Sequence, residues 1–201
     1  TLPQAKYKHR LASVLPRPVA DGQLDLYVSR SGLDPNMGQY LQEVTLEAAL
    51  QANGYRIFHP QAHPIEDQIA TCRAARRLIL ADGSAMHLWS FVAPCGQQAA
   101  VILRREKDRH LASWLRSIPC GVPISIDQVR GLFPSGEGPA RSLVLLDLDA
   151  LWRQLRDDGF HQDSSALGVS RAELLAWADT LAPKSRGFPA PPSGWLRARS
   201  T

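Results

Sequence analysis

The chain's 201 residues are enough for one or two domains and for a sizeable core. Hydrophobic residues at 44% and charged residues at 21% are ordinary for a soluble globular protein, and no apolar run approaches the roughly 20 residues that span a bilayer. The net charge of +4 belongs to the ends, because residues 21–183 hold 15 basic and 19 acidic side chains; no basic stripe with interleaved aromatics is present, so no nucleic-acid partner is expected.

Residues 1–23 are Pro-rich and carry Lys6, Lys8, Arg10 and Arg17 without an acid, which reads as an extended lead-in. There is no starting Met and no signal-peptide pattern, so Thr1 reads as a boundary within a longer protein. Leu24 to Arg30 alternates and is β-rich, which predicts a strand. Met37 to Asn53 predicts a helix with Leu41, Val44 and Ala48 on one face and Gly54 as its stop. Tyr55 to Phe58 predicts a second strand. After Pro60 and Pro64, a helix carries Ile65, Ile69 and Cys72 at spacings of four and three.

Leu78 to Ala81 predicts a short buried strand flanked by Arg76 and Arg77. Asp82 and Gly83 end it, and Ser84 begins a helix with Leu88, Trp89 and Phe91. Ala99 to Leu103 is the next predicted strand. Asp108 caps a helix faced by Leu111, Leu115 and Ile118, and Val122 to Ile126 forms another strand. Residues 134–140 read as an exposed loop. Leu143 to Leu148 reads as a last strand, followed by a helix to Asp158. Ser170 opens an amphipathic helix, with Glu173 completing a capping box. Lys184, Arg186, Arg197 and Arg199 mark an irregular basic tail. The basic ends read as solvated arms or as contacts to an anionic membrane surface or polysaccharide. Cys72, Cys95 and Cys120 are odd in number and lack metal spacing, so they read as buried free thiols of a reducing compartment.

Strands alternating with helices at these spacings predict an α/β fold: a Rossmann-like, mostly parallel sheet with helices on both faces. The chain divides into the lead-in 1–23, a lobe over 24–160, and a C-terminal helix with tail over 161–201. In such sheets ligands bind beyond the carboxyl ends of the strands, where Arg30 and Asp82 fall. The Asp82-Gly83-Ser84-Ala85 turn starts a helix whose first N–H groups lack partners, and that end attracts phosphate. Gly83 permits close approach and Ser84 adds a hydroxyl. The alternative is a plain joint in which Asp82 caps the helix and Gly83 makes the turn.

Taken in order, these pieces resemble glycosyltransferase family 61, which includes bacterial capsular-polysaccharide biosynthesis proteins. The matching residues are Tyr27-Val28-Ser29-Arg30, Glu43, Gly54-Tyr55, Asp67-Gln68-Ile69, Ala74-Ala75, and Asp82-Gly83-Ser84-Ala85-Met86 with Phe91, over about residues 24–105. Asp82 stands where the family has His, Asp67 where it has Glu, and Leu88 where it has Asn. An acidic Asp82 beside a diphosphate repels it unless protonated or turned away.

The resemblance implies the donor-binding, C-terminal lobe of a two-lobed GT-B enzyme, with an acceptor-binding lobe before Thr1. It implies an inverting, metal-independent transfer from a nucleotide-sugar to a surface or capsular polysaccharide. No cofactor is expected beyond that donor substrate, and the expected location is cytoplasmic, at the inner face of a membrane. The excess of Arg over Lys suits a bacterial source. Arg30, Glu43, Gln68, Asp82, Gly83, Ser84, Ala85 and His87 are the expected donor-binding residues, with Asp82 and His87 as candidates for acid–base work.

Other readings stay open. His87 reads equally as a helix-surface residue, Arg30 as a surface ion pair with Glu43, and Gln68 as a cap on local backbone. Asp147-Leu148-Asp149 resembles the Asp-X-Asp motif that holds a divalent ion on a diphosphate, or Asp149 simply caps the following helix. The non-enzymatic alternative is an α/β module that binds a nucleotide or partner without turnover.

Overall fold

The computed structural model describes residues 24–34, 37–104, 114–116, 118, 121–135, 138–168 and 172. Strands β1 (Leu24–Val28), β2 (Tyr55–Phe58), β3 (Ala75–Ala81), β4 (Gln98–Ile102) and β5 (Ile124–Ile126) form one sheet in the order β2-β1-β3-β4-β5. Every pairing in it is parallel, with Leu26 opposite Leu78 and Leu78 opposite Ala99. The near-continuous apolar runs of β3 and β4 follow from burial on both faces.

Alternate residues along each strand feed two cores. Leu26, Val28, Leu78, Leu80 and Val101 meet Cys72 of α2 (Ile65–Ala74) and Met86 and Trp89 of α3 (Ser84–Val92). Tyr27, Ile79, Ala100 and Ile102 meet Leu46 and Leu50 of α1 (Glu43–Ala52) and Leu151, Trp152 and Leu155 of α4 (Leu148–Asp157). The sheet is therefore covered on both faces, as the strand–helix alternation predicts. At its amino end, Asp25 takes Arg77 Nε at 2.9 Å and Arg76 Nη2 at 3.0 Å. Burial opposes ionisation of Asp25, but the two guanidiniums win and hold its carboxyl below the usual range.

A second unit corrects the sequence expectation. β6 (Val129–Ser135) and β7 (Gly138–Leu146) pair antiparallel and stand apart from the main sheet. Strand structure thus runs into the stretch expected as an exposed loop, and the last strand ends at Leu146, not Leu148. Asp147 stops it because its Oδ1 accepts the Ala150 N–H at 2.9 Å and so caps α4.

The first helix is shorter than expected. It begins at Glu43, and residues 37–42 form a non-α-helical strap that bridges β7 at Tyr40. Leu41 N–H donates to Val144 O at 2.8 Å, Val144 N–H donates to Gln39 O at 2.9 Å, and Tyr40 bridges Val144. The Gln42 side-chain amide takes the place of a strand backbone, pairing with Leu146 O at 2.9 Å and Leu146 N–H at 3.0 Å. These pairings compete with helix, and they win.

Cys72 is a buried free thiol, pushed up to about 12 by burial, whereas Cys95 is disulfide-bonded, so the expectation of three free thiols fails. The lead-in, the helix after Asp108 up to residue 113, and most of the helix expected from Ser170 lie outside the described residues.

His161 closes the α4 face. Its ring stacks on Trp152 with centroids 3.7 Å apart. Nε2 lies 3.1 Å from Trp152 O, which only accepts, so Nε2 carries the proton; Nδ1 accepts the Asp163 N–H at 3.1 Å. Burial holds the ring pKa below its usual value, and protonating Nδ1 breaks the Asp163 bond. The unfolded chain takes the proton more readily, so this stabilisation is complete above about pH 6.5 and is lost as pH falls below it. Chemical denaturation between about pH 7 and 5 should show falling stability, with a shallower slope in His161→Gln. An unchanged slope in that variant places the pH dependence elsewhere.

Candidate functional site

The chain leaves β1 toward β2 on one side and returns through β3 on the other. β1 and β3 are adjacent, so the connections beyond their carboxyl ends diverge and leave a crevice, the usual ligand position in open α/β sheets. A cleft of about 290 Å³ lies there. Val28, Ser29 and Arg30 from the end of β1, Ala81 from β3, and Ser84, Ala85 and Leu88 from α3 line it. Leu33, Pro60, Gln61, Ile65 and Gln68 also line it, and among the described residues Arg30 is the only charged side chain in the lining.

Arg30 is half-buried. Its Nε donates to Gly38 O at 3.1 Å and its Nη2 to Met37 O at 2.6 Å. Its remaining terminal nitrogen packs on the turn: a Cβ added at Gly83 would lie 2.1 Å from Nη1 and 3.1 Å from Cζ. Burial and then the neighbouring charge of Arg104 lower its pKa, while Tyr40, Glu43 and Asp82 oppose that shift. The guanidinium keeps its charge, as arginine does in proteins.

Glu43 sits beneath this group rather than in the cleft lining. It is buried, and its Oε1 accepts the Arg30 backbone N–H at 2.7 Å, the Tyr27 hydroxyl at 2.9 Å and Ser29 Oγ at 3.1 Å. Burial raises its pKa and the three donors pull it back. The expected alternative, a surface ion pair between Arg30 and Glu43, is corrected: Glu43 holds the backbone of Arg30, not its guanidinium.

Asp82 is buried and turned toward β4. Its Oδ2 takes the Arg104 N–H at 3.4 Å, and its carbonyl takes Arg104 Nε at 2.7 Å. Its own N–H bonds Ile102 O at 3.0 Å and the Tyr40 hydroxyl at 3.2 Å. Asp82 does not cap α3: Gly83 holds that position, and no side chain bonds the helix start. Gly83 has φ 173°, extended backbone open to any residue, so backbone strain does not explain a glycine here. The Arg30 guanidinium occupies the space a side chain would need.

Gln68 lines the cleft, but its Nε2 is committed to Pro60 O at 2.8 Å and His63 O at 2.9 Å. His87 is exposed, edge-on to Trp114 at 4.7 Å, and outside the lining. Asp147 caps α4 and pairs with Arg130, and Asp149 Oδ1 accepts the Leu167 N–H at 2.9 Å. The two carboxylates serve local backbone, and it is Asp147 rather than Asp149 that caps. Among the described residues, no three His, Cys, Asp or Glu side chains gather as a metal site.

The structure thus brings Arg30, Ser84, Ala85 and Gln68 to one cleft, with Gly83 under the Arg30 guanidinium, Glu43 and Asp82 buried behind the cleft and His87 outside. Sequence reasoning missed Arg104 and Tyr40. Arg104 had a signal, since it follows a buried strand directly, as Arg30 does. Tyr40 had none, because its place depends on the strap.

Residues 4–102, just under half of the chain, match the family model described as Glycosyltransferase 61. The match supports that family for this stretch and glycosyltransferase activity in general. No curated protein matches the chain.

The packing of Arg30 on Gly83 makes a direct prediction. Gly83→Ala should push the guanidinium off Met37 O and Gly38 O, at a cost of about 1 kcal/mol, or roughly 2–4 °C in melting. A crystal structure of the variant checks it. A guanidinium still bonded to both carbonyls shows that the contact does not exclude a side chain.

Proposed function

We propose that the β1/β3 crevice binds the diphosphate of a nucleotide-sugar, and that the chain is the donor-binding part of a glycosyltransferase. The observation that carries this is the Arg30 guanidinium, fixed over the start of α3 at the carboxyl ends of two adjacent parallel strands. A helix start and a guanidinium both favour an anion, and among the described residues no carboxylate in the lining competes for the site. Departure of a nucleoside diphosphate builds negative charge on the leaving group, and donors already aimed at that position lower the barrier. Leu33, Pro60, Ile65 and Leu88 supply an apolar wall for the sugar or base. Gln68, its nitrogen already engaged, offers its carbonyl oxygen as an acceptor.

An inverting transfer also needs a base for the acceptor hydroxyl. Among the described residues the lining holds neither a carboxylate nor an imidazole, and in this proposal the base comes from an acceptor-binding lobe of a GT-B enzyme. The polysaccharide acceptor, the metal-independent transfer, the contact of the basic ends with a membrane surface and the cytoplasmic location rest on the family likeness and the charge distribution. The same bare lining supports the second reading, a nucleotide-binding module without turnover.

Calorimetry with a set of nucleoside diphosphates tests binding. Arg30→Ala should weaken it by about 1.5–3 kcal/mol, the range for a hydrogen bond to a charged group. A chelator and Asp149→Asn should leave it unchanged. Equal affinity in a folded Arg30→Ala variant refutes the site. Sugar transfer by the full-length protein separates the enzyme from the non-catalytic module.

A further inference from the structure

Among the described residues Arg30 carries the only charge in the cleft lining, so what orients its guanidinium orients that charge. Two of its nitrogens are already spent, Nε on Gly38 O and Nη2 on Met37 O. Successive carbonyls of an extended chain point to opposite sides, yet these two converge on one edge of the same guanidinium. The departure from extended geometry lies at Gly38, whose φ is 75°, in the left-handed region that side chains rarely adopt. The strap cannot easily relax around it. Gln39 Nε2 donates to Leu33 O, and the Tyr40 hydroxyl donates to Ile102 O at 2.5 Å.

We infer that Gly38 is a positioning residue for Arg30: its left-handed backbone turns two consecutive carbonyls onto Nε and Nη2, so that Nη1 is presented, already oriented, at the start of α3. The inference rests on the proposed phosphate site and adds how that site is pre-organised. An anion then meets a donor whose side chain is already ordered, so the rotamer entropy is lost on folding and not on binding. It also explains why the residue is arginine. A lysine ammonium has the charge but not the planar fork, and cannot hold both carbonyls while facing the cleft.

The test uses NMR on the protein and its variants, with inorganic pyrophosphate as the probe. In the wild type the Arg30 Nε–H resonance should be protected from solvent exchange without any ligand, and Gly38→Ala should remove that protection. Pyrophosphate should shift the Ser84 and Ala85 amides, and Gly38→Ala should weaken its binding about tenfold, as expected for a lost charge-assisted contact. Arg30→Lys should weaken it as much as Arg30→Ala does. Adding Gly38→Ala to Arg30→Ala should weaken it no further.

An exchanging Nε–H in the wild type, or unchanged binding in Gly38→Ala, overturns the role of Gly38 and leaves the phosphate site standing. Equal losses from Gly38→Ala with and without Arg30 overturn it too, since they mark a general structural effect. If Gly38→Ala fails to fold, Arg30→Lys decides: wild-type affinity overturns the anchoring, and loss equal to Arg30→Ala supports it. A wild type that binds no pyrophosphate overturns both the site and the inference.

Discussion

One carboxylate oxygen fixes the end of the strand on which the site depends. Glu43 Oε1 receives the Tyr27 hydroxyl and the Arg30 backbone N–H, and it shares the Ser29 hydroxyl with Glu47. A buried carboxylate is costly unless it is well bonded, and losing one donor leaves its charge less compensated. The chain leaving β1 is therefore constrained at Tyr27, Ser29 and Arg30 before it reaches the cleft. The first residue of α1 sets where β1 ends, and so sets where Arg30 begins. Among the described residues Oε2 of the same carboxylate has no hydrogen-bond partner, so these bonds fall on one oxygen.

The strap 37–42 supplies the complementary constraint from the other side. Its carbonyls hold the Arg30 side chain, its tyrosine meets Asp82 N–H and Ile102 O, and its Gln42 amide pairs with β7. The hairpin outside the main sheet is thereby connected to the cleft through six residues of chain. Arg104 adds charge from the end of β4, and its engagement with the Asp82 carbonyl at the end of β3 holds it apart from Arg30, which follows β1 on the other side of β3. Each has its own backbone acceptors, and like charge between them is offset by buried acids.

Much of this was legible in the sequence for physical reasons. Parallel strands buried on both faces must be apolar runs, and helices covering them must show a stripe, so the sheet and α2 to α4 announce themselves through periodicity. The Gly83 turn followed from the strand–small-residue–helix pattern, and Arg30 from its place at a strand's carboxyl end together with the family resemblance. What failed to read were features set by distant partners. Residues 37–42 have helical composition, but hydrogen bonds to Val144 and Leu146, about a hundred positions away, outweigh a propensity worth tenths of a kcal/mol per residue. Asp82 looked like a cap because Asp often is one; Arg104, brought close only by the β3–β4 pairing, turned its carboxylate elsewhere.

Gly83 has an extended backbone and is glycine because of what stands over it. A glycine held by its φ is fixed by its own peptide geometry, and no change elsewhere releases it. Here the constraint belongs to a pair of positions. A shorter side chain at 30 would vacate the volume and leave 83 free to vary, while any side chain gained at 83 would remove the selective value of arginine at 30. What either position can hold therefore depends on what stands at the other. Related chains without arginine at the first should be the ones that tolerate alanine or serine at the second, and a lineage can cross between the two states most readily by losing the arginine before gaining the side chain.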